Sequence, residues 1–213
     1  EWAEKIISEL KSMPNVVVKN RSQVFGYYDH NMLVMSERIS DHLPKTEKYS
    51  PKQRLWYIRA KEVIISSGSI ERPLVFGNND TPGVMLSSAA KEYLKIYGVL
   101  VGKKPLVFTN NDSGYETAIE FKKNGIDPII LDTRKDPNSE IIQEAKDLNI
   151  NIKTSYVVVA AKGYKKVNSA DIAKLSDDKK NVSNIENIKC DCICVSGFWT
   201  PTIHLASQSG NKT

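Results

Sequence analysis

Long apolar runs are missing from this chain. None approaches the roughly 20 residues that a helical membrane span needs, and no signal-peptide pattern is visible. Charge of one sign is not concentrated either. There are 30 Lys and Arg against 25 Asp and Glu, a net charge of +5. The basic doublets (Lys103-Lys104, Lys122-Lys123, Lys165-Lys166, Lys179-Lys180) are scattered. This balance describes a solvated surface rather than a nucleic-acid footprint. Cysteine is scarce: Cys190, Cys192 and Cys194, all within "KCDCICVSG". An odd, clustered set is a poor disulfide framework. On a strand, a spacing of two puts all three side chains on one face. No second Cys/His pair is present to close a tetrahedral metal site, so they are expected to be buried thiols of a cytoplasmic protein. Histidine is limited to His30, His42 and His204, and no Ser-His-Asp or Cys-His arrangement emerges. Each histidine is therefore expected to be structural or exposed rather than catalytic, and no metal site is expected.

What is present is ordinary globular material. The 213 residues are 40% hydrophobic and 26% charged, enough for one large domain or two small ones. Residues 2–12 fit a short amphipathic helix stopped by Pro14. "NVVVKNRSQVFGYY", "MLVMSERIS" and "RLWYIRA" read as strands of a meander, with "YDHN" a turn and "DHLPKTEKYSPKQ" a surface loop. "EVIISSGS" is apolar enough for a buried strand. Starting at Glu1 without methionine and moving at once into a helical stripe, the chain is expected to be a section of a longer polypeptide.

From residue 83 the pattern changes. "SSAAKEYLKIYG" predicts a helix with Ser87 or Ser88 as N-cap and Gly98 as C-cap. Strand, helix, strand, helix, strand then follow in "KPLVFTN", "SGYETAIEFKKNG", "DPIILDTR", "NSEIIQEAKDLN" and "INIKTSYVVVAAKG". Such βαβαβ alternation implies parallel strands with right-handed crossovers. "KKVNSADIAKL" with "DDKKNVSN" suggests a β-hairpin arm, and "CDCICVSG" a last buried strand. The fold class expected is α/β. A Rossmann-like three-layer unit at 103–187 is inserted into a partial FAD/NAD(P)-binding-type domain at 1–102 plus 188–213, which carries an antiparallel meander.

Three turns bear on chemistry. The first aligns Thr109-Asn110-Asn111-Asp112-Ser113-Gly114 with a G-x-G-x-x-G fingerprint. Only the third glycine, which allows close helix–strand packing, is kept. Asn111 occupies the place where backbone should approach a pyrophosphate, and Asp112 sets a negative charge at a helix N-terminus that would otherwise attract an anion. Asp132 ends the second strand, near the place of a ribose-binding acid. The turn reads as kept for architecture rather than for a nucleotide. In the second turn, "VIISSGSIERP", a strand runs into Ser66-Ser67-Gly68-Ser69, small residues that let a ligand approach the backbone. It resembles the "ATG"-type motif of two-dinucleotide flavoprotein folds. The third, "CVSGFWTP", repeats that grammar with Ser196-Gly197 and Thr200-Pro201, and Trp199 is placed to cover a cofactor or a partner surface.

The run "ERPLVFGNNDTPGVMLSSAAKEYLKIYGVLVGKKPLVFTNNDSGYETA" resembles the α subunit of heterotetrameric sarcosine oxidase, as do "VFGYYDHNMLVMSERISDHL", "QRLWYIRAKEVIISSGSIERP" and "VSGFWTPTIHLASQSGNK". The resemblance covers nearly the whole chain. It implies an oxidase that turns sarcosine and oxygen into glycine and hydrogen peroxide, with the methyl group leaving as formaldehyde or passing to tetrahydrofolate. It implies FAD and covalent FMN on the β subunit, a non-catalytic NAD on α, a folate region further along α, and β, γ and δ subunits as partners. On that resemblance Ser67, Gly68, Ser69, Ser196, Gly197 and Trp199 are the cofactor-binding candidates, and the isolated piece is expected to be inactive. The alternatives are a pyridine-nucleotide-disulfide-reductase-like flavoprotein, or a related amine or opine dehydrogenase or cyanide-forming amine oxidase.

Overall fold

The structure is a computed structural model that describes residues 2–210. The ends of the expected outer segments, residues 1 and 211–213, lie outside the described residues. The chain divides into two compact units: residues 1–68 with 201–213, and residues 69–200.

The first unit opens with α1 (Trp2–Ser12), none of whose residues is buried. The strands β1 (Ser22–Tyr28), β2 (Met32–Arg38) and β3 (Gln53–Arg59) form an antiparallel meander in that order. The first strand thus starts later than "NVVVKN" suggested. A single helical turn at Asp29–Asn31 reverses the chain, with His30 and Asn31 in the left-handed region. Asn31 pins this turn: its side chain accepts the Tyr27 hydroxyl at 2.7 Å and donates to the Lys61 carbonyl at 2.9 Å. Trp56 donates to the Glu37 carboxylate at 2.7 Å, and Lys19 reaches the same group at 3.1 Å while lying 4.4 Å from the indole centroid. The unit's buried apolar side chains are few, namely Tyr27, Val34 and Met35.

One expectation fails here. Residues 62–68 form no strand, and Ile64 is 93% exposed. An apolar strand is buried only when flanking strands hydrogen-bond to it, and no strand among the described residues pairs with this stretch. Its end is held instead by Thr202, just before a short helix at His204–Gln208. Ser67 Oγ donates to the Thr202 carbonyl at 2.7 Å, and Thr202 N donates to the Gly68 carbonyl at 2.9 Å.

The second unit begins with β4 (Ser69–Arg72), β5 (Val84–Leu86) and α2 (Ser87–Tyr97). Next come β6 (Pro105–Thr109), α3 (Ser113–Lys123), β7 (Ile129–Asp132), α4 (Glu140–Asp147) and β8 (Asn151–Thr154). An antiparallel meander follows, β9 (Tyr156–Lys162), β10 (Ser169–Lys174) and β11 (Glu186–Lys189). β12 (Cys192–Ser196) and β13 (Phe198–Pro201) close the unit. The central sheet is parallel, ordered β5-β12-β6-β7-β8, and β13 pairs with β4. Alternation along β6 sends Leu106 and Phe108 to one face, packed with Val158 and Ile172 of the meander. Val107 points to the other face, among Ala90, Tyr115, Phe121 and Ile142 of the helices. The result is a three-layer α/β unit of meander, sheet and helices.

Several details depart from the sequence expectation. Within the compact unit of residues 69–200, β5 and β12 join the sheet of β6 through paired backbones. "INIKTSYVVVAAKG" is two strands, broken at Ser155 with φ 57°, so that β8 stays in the parallel sheet and β9 leaves for the meander. Neither Ser87 nor Ser88 caps α2; Leu86 holds the cap position without a side-chain bond. The buried Glu71 of β4 supplies the acceptor, taking Ser88 N at 2.9 Å and Ser88 Oγ at 2.6 Å. The three cysteines do not share a face. Cys192 and Cys194 lie on the helix side, 3.6 Å apart, while Cys190 lies on the meander side. The alternation breaks at Asp191, whose carboxylate turns to accept the backbone N–H groups of Lys103 and Lys104.

Candidate functional site

In an open parallel sheet a ligand enters where the strand order departs in two directions. In residues 69–200 that place is the carboxyl end of β6, which has β7 on one side and β12 on the other. Thr109–Gly114 and Ser196–Trp199 meet there.

Gly114 is required by packing. A Cβ on it would lie 2.6 Å from the Thr109 Cβ, so the third glycine of the fingerprint does what the sequence suggested. Thr109 takes over the tight turn: its Oγ1 accepts Asn111 N at 3.1 Å and donates to the Asn111 carbonyl at 2.8 Å. The Asn111 carboxamide then spans the crevice. Its Nδ2 donates to the carbonyls of Gly197 at 2.9 Å and Ser196 at 3.3 Å. Its Oδ1 accepts Ser113 N at 2.9 Å, one of the free amides of the helix start, and Ser196 Oγ at 3.3 Å. Asn110 N donates to the Ser196 carbonyl as well. Trp199 Nε1 donates to Ser113 Oγ at 2.9 Å.

The acid at the end of β7 is engaged too. Asp132 is fully buried and accepts from Tyr115 OH at 2.8 Å and from Arg134 N, Nε and Nη2. Arg134 Nη1 bridges onward to Asp112 Oδ1 at 2.8 Å. Burial opposes the Arg134 charge, but the hydrogen bonds to Asp132 and Asp112 outweigh it and raise its pKa. Burial, and then the Asp132 charge, push the Tyr115 phenol up, so it stays a donor. Arg134 and Tyr115 were not singled out in the sequence, although "LDTR" sets a cation two residues after the strand-end acid.

The candidate cofactor residues fare differently. Ser196 is fully buried and bonded to the Asn110–Asn111 turn. Gly197 donates its N–H to the Arg72 carbonyl at 2.8 Å, and a Cβ there would stand 2.6 Å from that oxygen. Trp199 keeps 42% of its surface exposed despite its bond to Ser113. Gly68 has φ 69°, a left-handed conformation that favours glycine, and apart from its chain neighbours no atom lies within 4 Å of where its Cβ would be. Ser69 begins β4 and is exposed. The structure thus joins Ser196, Gly197 and Trp199 to the fingerprint turn, and holds Ser67 and Gly68 through Thr202. No group of His, Cys, Asp and Glu suited to a metal exists among the described residues. Cys192 and Cys194 are both buried; the hydrogen bond with Cys192 and then burial hold the Cys194 thiol well above the usual range, and burial pushes Cys190 up to about 12.

No protein-family model matches the chain. Sarcosine oxidase subunit alpha of Rhizobium meliloti (strain 1021) is 36% identical over the whole chain, which covers 20% of that protein. The corresponding subunit of Corynebacterium sp. (strain U-96) is 32% identical over 216 residues, again the whole chain, covering 22% of that protein. The chain is homologous to a section of sarcosine oxidase α subunits. It spans about a fifth of the length of these relatives. Among solved structures, a ferredoxin reductase from Rhodopseudomonas palustris aligns with a TM-score of 0.61 at 13% identity, over 99% of this chain and 47% of that one. That likeness gives the fold alone. No helix among the described residues is long and apolar enough to cross a membrane.

Proposed function

We propose that this chain is the central, dinucleotide-fold section of a sarcosine oxidase α subunit, serving as a structural and NAD-contacting part without catalytic residues of its own. The observation that carries the reading is homology along the full chain to two such subunits, at 36% and 32% identity. The left-handed Gly68, with free space at its Cβ position, supports the NAD contact, with Ser67 and Ser69 beside it. Trp199 offers an exposed ring to the same class of ligand, while Ser196 and Gly197 shape the backbone that carries it. In this reading sarcosine oxidation to glycine and hydrogen peroxide takes place elsewhere, on a β subunit holding FAD and FMN. Tetrahydrofolate is handled further along α, and γ and δ subunits complete a cytoplasmic heterotetramer.

The test is purification of the full-length protein from its own cells. Co-purifying subunits, bound flavins, one NAD per α chain and sarcosine-dependent oxygen consumption are the expected result, with NAD lost from Gly68→Val. A solitary chain that binds no NAD would overturn the reading, as would sarcosine oxidation by residues 1–213 alone.

A further inference from the structure

The carboxyl ends of β6 and β12 lie where this kind of sheet takes a nucleotide, yet amides that a diphosphate would use there are already bonded within the chain. A diphosphate needs free amides at the helix start and uncluttered backbone in the turn. Here Ser113 N is taken by Asn111 Oδ1 and Asn111 N by Thr109 Oγ1, and the Asn111 side chain fills the turn, with its Nδ2 donating to the Ser196 and Gly197 carbonyls. The ribose-binding position, Asp132, is occupied by Arg134 and Tyr115. Arg134 also pairs with Asp112, a carboxylate that would repel an anion at the helix start.

We propose that this is a self-occupied nucleotide crevice in which the Asn111 carboxamide stands in place of a ligand diphosphate, making Asn111 the residue that decides against nucleotide binding. The carboxamide oxygen accepts the helix amide of Ser113 as a diphosphate oxygen would, while its nitrogen closes the crevice by donating to the carbonyls of Ser196 and Gly197, which a diphosphate could not engage. The remaining architecture is intact, including the close helix–strand contact at Gly114 and the cation at Arg134. Removing the carboxamide frees Ser113 N and the space at the turn. Removing Asp112 as well leaves Arg134 Nη1 without its carboxylate and available to a phosphate.

The proposal is independent of the NAD contact at Ser67–Ser69, and the experiment separates the two. Full-length protein is first saturated with NAD, which fills that contact if it exists, and ADP is then titrated by calorimetry. Wild-type protein is expected to take up no ADP. Asn111→Gly is expected to bind one ADP at least tenfold more tightly than wild type, and Asn111→Gly with Asp112→Ser more tightly again. ADP should perturb the tryptophan emission of these variants, and Trp199→Phe should abolish that change. Asn111→Ala removes the same carboxamide with less freedom in the chain and keeps the test open if the glycine variant is unstable. ADP binding by NAD-saturated wild-type protein that Asn111→Gly does not strengthen would overturn the proposal. So would folded Asn111→Gly and Asn111→Ala proteins that gain no ADP affinity.

Discussion

At the scale of single residues, Gly114 and Thr109 show how a fingerprint can lose its ligand and keep its shape. The 2.6 Å separation available to a Cβ on Gly114 lies below any ordinary contact, and the atom it meets belongs to a buried side chain on β6. Gly114→Ala must therefore push α3 away from the strand. Overpacking of this kind costs about 1–3 kcal/mol. Urea denaturation should show that loss, and pairing the change with Thr109→Gly should give a double mutant more stable than the two single effects predict. Simple additivity would mean that the helix moves freely and that the glycine is not set by packing. The sequence carried half of this: the surviving glycine and the intruding Asn111 were legible because the fingerprint assigns a steric task to each position. The partners of Asn111 were not legible, because Ser196 and Gly197 are distant in sequence and the bonds run mainly to backbone carbonyls.

At the scale of elements, periodicity found the strands but not their neighbours. "EVIISS" has the composition of a buried strand, and its exposure in the structure reflects the lack of any pairing strand among the described residues. "INIKTSYVVVAAKG" is uniformly strand-like, and only the left-handed Ser155 divides it between two sheets. Asp191 does the same to the cysteine alternation by turning to cap two backbone amides. Elements with dense same-element patterning, such as β6, α3 and β12, were predictable. The β2–β3 pair offers an element-scale test through Glu37, a carboxylate between Trp56 and Lys19. The hydrogen bond from Trp56, then that from Lys19, lower its pKa below the ordinary 4.5. A carboxylate with a depressed folded-state pKa adds stability above its unfolded value, and that stability is lost as pH falls through the folded one. Glu37→Gln should accordingly flatten the acid side of the stability curve below about pH 4.5 while changing its slope little near neutrality. An unchanged acid limb would show that the pair contributes nothing to linkage.

At the scale of the whole molecule, the two units differ in how much core they own. Residues 69–200 hold two buried clusters, one on each face of a five-stranded parallel sheet. Among its described residues, the unit made of 1–68 and 201–213 buries only Tyr27, Val34 and Met35 of its apolar side chains, and leaves Ile64, Tyr57 and Trp2 largely exposed. Burial of apolar surface is the main favourable term in folding, so opening free energies should follow this difference. Residues 69–200 expressed alone should fold, with circular dichroism of a mixed α/β protein and one cooperative urea transition. In residues 1–213, amide exchange should be slowest in β6, β7 and β12, and faster by orders of magnitude in β1–β3 and α1. Equal protection across both units would mean that the meander draws stability from somewhere other than its own core. If residues 69–200 fail to fold while residues 1–213 succeed, the chain unfolds as one cooperative body, and the division read from its packing has no thermodynamic counterpart.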